Sequence, residues 1–175
     1  KIFIRNDGTP WKKGQKFIQK DLAKTLKKIA RYGRDGFYRG TVAQLIVEEM
    51  KRGNGLITKN DLHNYESKYR PPVLGTYKGY EIVSMGPPSS GGALLVNMLN
   101  MLENYPMDTI SWNSSNYIHL LTEVQRRAYA DRAEHMGDPD FWDVPIPMLT
   151  SKQYAKNRIK NIDLNKATLS SSVSA

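Results

Sequence analysis

The chain has 175 residues, 39% of them apolar and 10% aromatic, with 26 Lys and Arg against 17 Asp and Glu, a formal charge of +9, and no cysteine. The aromatic content argues against wholesale disorder, and the lack of cysteine excludes a disulfide framework, a thiolate zinc site and a cysteine nucleophile. No apolar run approaches the roughly 18 residues that span a bilayer, and residues 1–10 lack the apolar stretch of a signal peptide.

Ile18, Leu22, Leu26 and Ile29 recur at spacings of four, four and three, which predicts a helix over about 19–32 that Gly33 ends. Thr41 is the expected N-cap of a second helix, with Val42, Leu45, Ile46 and Met50 turned inward and Gly53 as its stop. The two helices are expected to pack as a pair, pinned by the aromatic connection Gly36-Phe37-Tyr38-Arg39-Gly40. Thr58, with Asp61 three residues on, reads as a capping box for a helix of one or two turns, and Pro71 and Pro72 bar its continuation.

From Val73 the period changes to two, predicting a β-hairpin over 73–77 and 80–85 about Lys78-Gly79. The second strand runs into Gly86-Pro87-Pro88-Ser89-Ser90-Gly91-Gly92, after which a helix over about 93–103 is capped by Ser89 or Ser90. Ser114 or Ser115 caps a long helix over 116–136 that buries Tyr117, Leu120, Leu121, Val124 and Ala128 and carries Glu123 with Arg127 as an i,i+4 pair in the favoured order, worth a few tenths of a kcal/mol. Thr150 is read as the cap of a last helix to about Asn161, and the serine-rich residues 169–175 as a frayed tail. Met98, Met101 and Met107 read as core filler.

The charge is uneven: residues 1–70 hold 17 Lys and Arg against 7 Asp and Glu, and residues 71–175 hold 9 against 10. A basic stretch is the electrostatic footprint of a nucleic-acid binder, but no homeodomain, RRM or zinc-finger pattern accompanies it. The expectation is a basic surface that is solvated or meets an acidic partner, with no nucleic acid bound. No two of His63, His119 and His135 stand three or four residues apart and no His-Glu-x-x-His occurs, so no metal site is expected. His119 with Glu123, and Asp131 with His135, read as surface pairs. Asp138 and Asp140 read as an Asx-type turn.

The turn at 86–92 offers the unpaired N–H groups of a helix start, which can receive an anion or an oxyanion. It is neither a P-loop nor a Gly-x-Ser-x-Gly elbow. Ser89, Ser90, Gly91 and Gly92 are the candidate substrate-binding residues. The other reading is a rigid joint, with prolines fixing the entry and glycines allowing close packing.

That turn, followed by Leu99-Asn100-Met101-Leu102-Glu103, resembles the γ-glutamyltranspeptidases (glutathione hydrolases), where Pro-Pro-Ser-Ser-Gly-Gly precedes a helix ending Leu-Asn-x-Leu-Glu. The likeness extends, in the family's order, through Gly36-Phe37-Tyr38-Arg39-Gly40, Gly55-Leu56-Ile57-Thr58, Ala128-Tyr129-Ala130-Asp131-Arg132, Gly137-Asp138-Pro139-Asp140-Phe141 and Asn165-Lys166-Ala167.

The resemblance implies an α/β fold, a fragment of the N-terminal-nucleophile hydrolase αββα sandwich, mostly helical with one β-hairpin. It implies a precursor that cleaves itself into a large and a small subunit, freeing a threonine whose own α-amine is the base for its hydroxyl. In the family that threonine is followed by Thr-His; none of the nine threonines here is. Residues 1–175 are therefore expected to be the C-terminal part of the large subunit, a piece of a longer chain ending before the cleavage point and starting after the arginine that holds the substrate carboxylate. No catalytic residue carries over. The implied partners are the small subunit and a γ-glutamyl substrate such as glutathione, with no metal or organic cofactor and a periplasmic or secreted location. A relative acting on poly-γ-glutamate or acylated β-lactams, and a noncatalytic basic binding module, are the alternatives.

Overall fold

The computed structural model describes residues 3–5 and 7–175. It divides into two units, Lys1–Lys68 and Tyr69–Ala175.

In the first unit, α1 (Lys20–Tyr32) forms where the apolar spacing predicts. It stops at Gly33, whose φ of 57° lets its N–H reach back to the Ile29 carbonyl at 2.8 Å. The stripe is not buried, however: Ile18, Leu22 and Leu26 face solvent. The aromatic connection is itself a helical turn, α2 (Asp35–Tyr38), and α1 and α3 (Gly40–Arg52) each pack on it rather than forming an extensive pair. Gly36 is buried where a Cβ would overlap the backbone of Lys28 and Ile29, so a bare Cα is what lets α2 lie on α1.

Thr41 does not cap α3. The extended residue before the helix is Arg39, and Gly40, at φ 59°, turns the chain directly into the first turn, so Thr41 already lies inside it. Val42 and Ala43 are buried, whereas Leu45 is exposed. α4 (Lys59–Asn64) is closed at both ends. The Asp61 N–H donates to Thr58 Oγ1 at 3.2 Å while the Thr58 N–H donates to Asp61 Oδ2 at 2.7 Å. At the other end Arg34 donates to the carbonyls of His63 and Tyr65. Hydrogen bonds from the Thr58 hydroxyl and the Thr58 N–H hold the Asp61 carboxyl below its ordinary pKa. Thr58→Ala is expected to lower the local stability of α4 by about 1 kcal/mol, read as roughly fivefold faster hydrogen exchange of the α4 amides.

The second unit opens with β1 (Val73–Tyr77) and β2 (Tyr80–Ser84), antiparallel with Leu74 opposite Val83. Lys78 and Gly79 both have positive φ, 46° and 84°, the signature of a type I′ turn. One face of the hairpin lies on α5 (Gly91–Leu102), and Gly75 is where a Cβ would meet the Val96 methyls. Leu74 and Val83 on the other face are exposed.

α5 is apolar nearly all round and occupies the centre of the unit, against β1, β2, α6 (Ser115–His135), α7 (Ile146–Leu149) and α8 (Lys152–Arg158). Leu94, Met101, Leu102, Leu120, Val124, Ala128 and Ala155 form the core, with Met98, Tyr105, Met107 and Leu121 packed around it. Ser114 caps α6 by accepting the Tyr117 N–H at 3.2 Å. α5 begins two residues earlier than expected, with the glycines inside its first turn.

Thr150 is not a cap either: its hydroxyl donates back to the Ile146 carbonyl at 2.8 Å, and Ser151 caps the shorter α8 by accepting the Tyr154 N–H. In the segment read as frayed, Ser170–Ser172 make a 3-10 turn held by side chains of α6 and α8. About half of the described residues are helical and one hairpin accompanies them, and no helix among them is long and apolar enough to cross a membrane.

Candidate functional site

The turn between β2 and α5 brings Ser89, Ser90, Gly91 and Gly92 together at one end of α5. Ser89 Oγ accepts the Gly91 N–H at 3.2 Å, and Ser90 Oγ accepts Arg132 Nε from α6 at 3.0 Å. Ser90 precedes α5 with helical backbone and makes no side-chain cap. Gly92 is buried against the end of β2, where a Cβ would overlap the Met85 carbonyl oxygen. The four candidates thus sit on a joint: one hydroxyl folds over the first helical amide, the other ties α5 to α6, and the second glycine seats α5 on the strand.

Beside this turn, the Gly137–Phe141 loop forms the Asx turn expected of it, with the Asp140 N–H donating to Asp138 Oδ1 at 3.0 Å. Arg70 pairs with Asp140 at 3.0 Å and lies 3.8 Å from Asp138. Arg70 and Asp140, with Pro71, Pro87, Phe141 and Trp142, line an open groove of about 540 Å³. Among the described residues no three His, Asp or Glu side chains converge as a metal site requires.

The charged groups of α6 depart most from the expected surface pairs. Glu123, Arg127 and Asp131 are all buried. Arg127 donates to Glu123 Oε2 at 2.7 Å, to Asn161 Oδ1 at 2.8 Å and to the Arg158 carbonyl at 2.9 Å. Burial alone would raise the Glu123 carboxyl, but hydrogen bonds from Thr168 and Arg127 outweigh it and hold the group at about 2. Asp131 accepts from Tyr154 Oη at 2.9 Å and Asn97 Nδ2 at 3.1 Å, and pairs with Arg158 at 2.8 Å. Burial still leaves Asp131 above its ordinary value, and burial together with the Asp131 charge pushes Tyr154 up to about 12. His119 meets the Asp163 carbonyl at 2.8 Å instead of Glu123.

Asn97, Tyr154, Arg158 and Asn161 were not singled out in the sequence. The signal that points to this lattice is the stripe of α6: Leu120 and Val124 continue at the same spacing onto Arg127 and Asp131, so charged residues occupy core positions.

The family model for gamma-glutamyltranspeptidase matches residues 1–175. The glutathione hydrolase proenzyme of Escherichia coli (strain K12) is 46% identical over 173 residues, 99% of this chain and 30% of that protein. An acylase ACY 1 proenzyme of Pseudomonas sp. (strain SE83) is 39% identical over 160 residues, 91% of this chain and 29% of that protein. The crystal structure of Helicobacter pylori gamma-glutamyltranspeptidase superposes with a TM-score of 0.87 at 45% identity, covering 98% of this chain and 49% of that one. The chain therefore spans about 30% of the length of these curated relatives and about half of that solved chain. With the whole of its length matched and its helices and hairpin superposed on an N-terminal-nucleophile hydrolase, this chain belongs to the gamma-glutamyltranspeptidase family.

Proposed function

We propose that residues 1–175 are the C-terminal part of the large subunit of a self-cleaving enzyme that moves the γ-glutamyl group of glutathione, or of a related γ-glutamyl amide, to water or an amino acid. The reaction runs through an acyl-threonine on a small subunit from the same precursor. That threonine's α-amine, with a pKa near 8, takes the proton from its own hydroxyl as the hydroxyl attacks the γ-carbonyl. No metal or organic cofactor is called on. In this reading the present chain supplies framework: the core of α5, α6 and α8, and the 86–92 turn as a joint that does not touch substrate.

The single observation carrying the reading is the match of residues 1–175 to the family model throughout, in a chain where no threonine precedes Thr-His. A periplasmic or secreted location is part of the same proposal, supported by the family resemblance, and cell fractionation tests it.

The full-length precursor is expected to split into two chains and to release the chromophore of a γ-glutamyl anilide, while the 175-residue chain alone releases none. Release by that chain alone, or a precursor inert toward the anilide, overturns the proposal. The 39% identity to an acylase proenzyme favours a second reading, an acylase using the same nucleophile. A precursor that cleaves itself and then hydrolyses an acylated β-lactam in preference to the anilide selects it.

A further inference from the structure

The segment 168–174 has little apolar reason to lie where it does. Its residues are mostly exposed, Leu169 among them, and only Thr168 and Val173 are half-buried. Yet it is tied down at three points by charged side chains of α6 and α8. Glu123 Oε1 accepts the Thr168 N–H at 2.9 Å, Arg126 donates to Ser170 Oγ, and Arg158 donates to the Ser174 carbonyl at 2.6 Å. Between these ties, Ser170–Ser172 form a 3-10 turn, with the Ser172 hydroxyl donating to the Leu169 carbonyl at 2.7 Å.

Two of the three anchoring groups are rooted in the core. Glu123 is held by Arg127, and Arg158 by Asp131 and the Arg127 carbonyl. The buried lattice therefore ends, on one side, in a clamp on the chain. Exposed polar contacts of this kind add little stability. What they do add is direction, because three points along seven residues fix where the polypeptide leaves α8.

We propose that Glu123, Arg126 and Arg158 are positioning residues for precursor self-cleavage, aiming the chain that leads to the scissile bond. The inference rests on the reading above, in which the cleavage point follows this segment. In that cleavage the threonine hydroxyl adds to the carbonyl carbon of the residue before it. The C–N bond breaks, and the nitrogen leaves as the threonine α-amine, taking up the hydroxyl's proton. Water then hydrolyses the ester, leaving a carboxylic acid on the first chain and a free hydroxyl on the second. The hydroxyl and the carbonyl must meet at attack distance, and an offset of about 1 Å can cost on the order of a hundredfold in rate.

Arg126 gives the cleanest test: its side chain is 20% exposed and also reaches Glu123 Oε1 at 3.4 Å, but its loss leaves the Glu123–Arg127 and Asp131–Arg158 pairs in place. In the full-length precursor, followed on denaturing gels from the start of synthesis, Arg126→Ala and Ser170→Ala are each expected to slow the appearance of the two chains about tenfold. Arg126→Lys, which can still donate to Ser170 Oγ, is expected to stay within about threefold of wild type. The thermal midpoint of the precursor, and the kcat and KM of the enzyme once cleaved, are expected to match wild type. Cleavage at the wild-type rate in the two alanine variants overturns the proposal. So does slow cleavage that comes with a lowered midpoint and no rescue by lysine. A wild-type precursor that stays whole overturns the underlying reading, and the clamp with it, whereas a wild type that cleaves while the variants keep pace removes the clamp alone.

Discussion

Arg127→Ala is expected to cost about 3–5 kcal/mol of stability, the largest single loss foreseen for this chain, because it strips the buried Glu123 carboxylate of its closest cation and leaves it only Arg126, 3.4 Å away. The substitution removes Nη1 from Glu123, Nη2 from Asn161 and Nε from the Arg158 carbonyl, so it also takes a donor from one acceptor at the end of α8 and one in the loop after it. The loss belongs to the broken pair rather than to missing volume. A double variant, Glu123→Leu with Arg127→Met, should accordingly recover much of it, since an apolar pair of similar size leaves no charge stranded.

Acid separates the two effects. Glu123 titrates at about 2 in the folded chain against 4.5 for the free side chain, so its stabilisation is fully present above about 4.5 and is lost as the pH falls toward 2. In Arg127→Ala the hydrogen bonds from Thr168 remain but those from Arg127 and its charge are gone, so the carboxyl rises from its wild-type position and a falling pH costs the variant less than the wild type. Urea midpoints of the full-length protein should differ widely at pH 7 and converge at pH 3. Equal gaps at both pH values would locate the cost in packing instead of charge.

The periodic parts of this fold were legible because their causes are local. The spacing of Leu22, Leu26 and Ile29, the Thr58–Asp61 pair, the alternation about Lys78-Gly79 and the cap at Ser114 each involve a few neighbouring residues, and each produced the expected element. The errors arose where a tertiary partner decides. Thr41 and Thr150 have the right chemistry for caps, but the extended backbone a cap needs falls at Arg39 and Ser151. Glu123 and Arg127 look like any surface i,i+4 pair until α8 and Thr168 close over them, which no window of sequence around α6 contains. The tail was read as frayed because serine supplies no apolar anchor; its anchors come from arginines 44 and 16 positions away. The 86–92 turn was visible as a motif, while its role as a joint depends on Met85 and Arg132, the latter on another helix.

That joint makes the second large effect a contrast between adjacent glycines. At Gly91 a new Cβ would stand 3.4 Å from Ser89 Oγ, an ordinary contact, in a helical conformation that alanine adopts without strain. Gly91→Ala is therefore expected to be neutral or to stabilise by up to about 1 kcal/mol, through the smaller entropy of the unfolded chain. At Gly92 the same methyl would overlap the Met85 carbonyl oxygen and press on Ser84 Cβ, and the main obstacle is the backbone of the residue that follows β2. Forcing a methyl into a packed site costs about 1–3 kcal/mol, toward the upper end when no side chain can swing away. Set against a helix-propensity gain of at most about 1 kcal/mol, Gly92→Ala should lose about 2 kcal/mol net. Thermal melting of the two single variants in the full-length protein decides the matter. Gly92→Ala should melt several degrees below wild type and Gly91→Ala at or above it. Equal midpoints would mean that α5 can lift off β2 freely, and that the turn sets no fixed geometry between strand and helix.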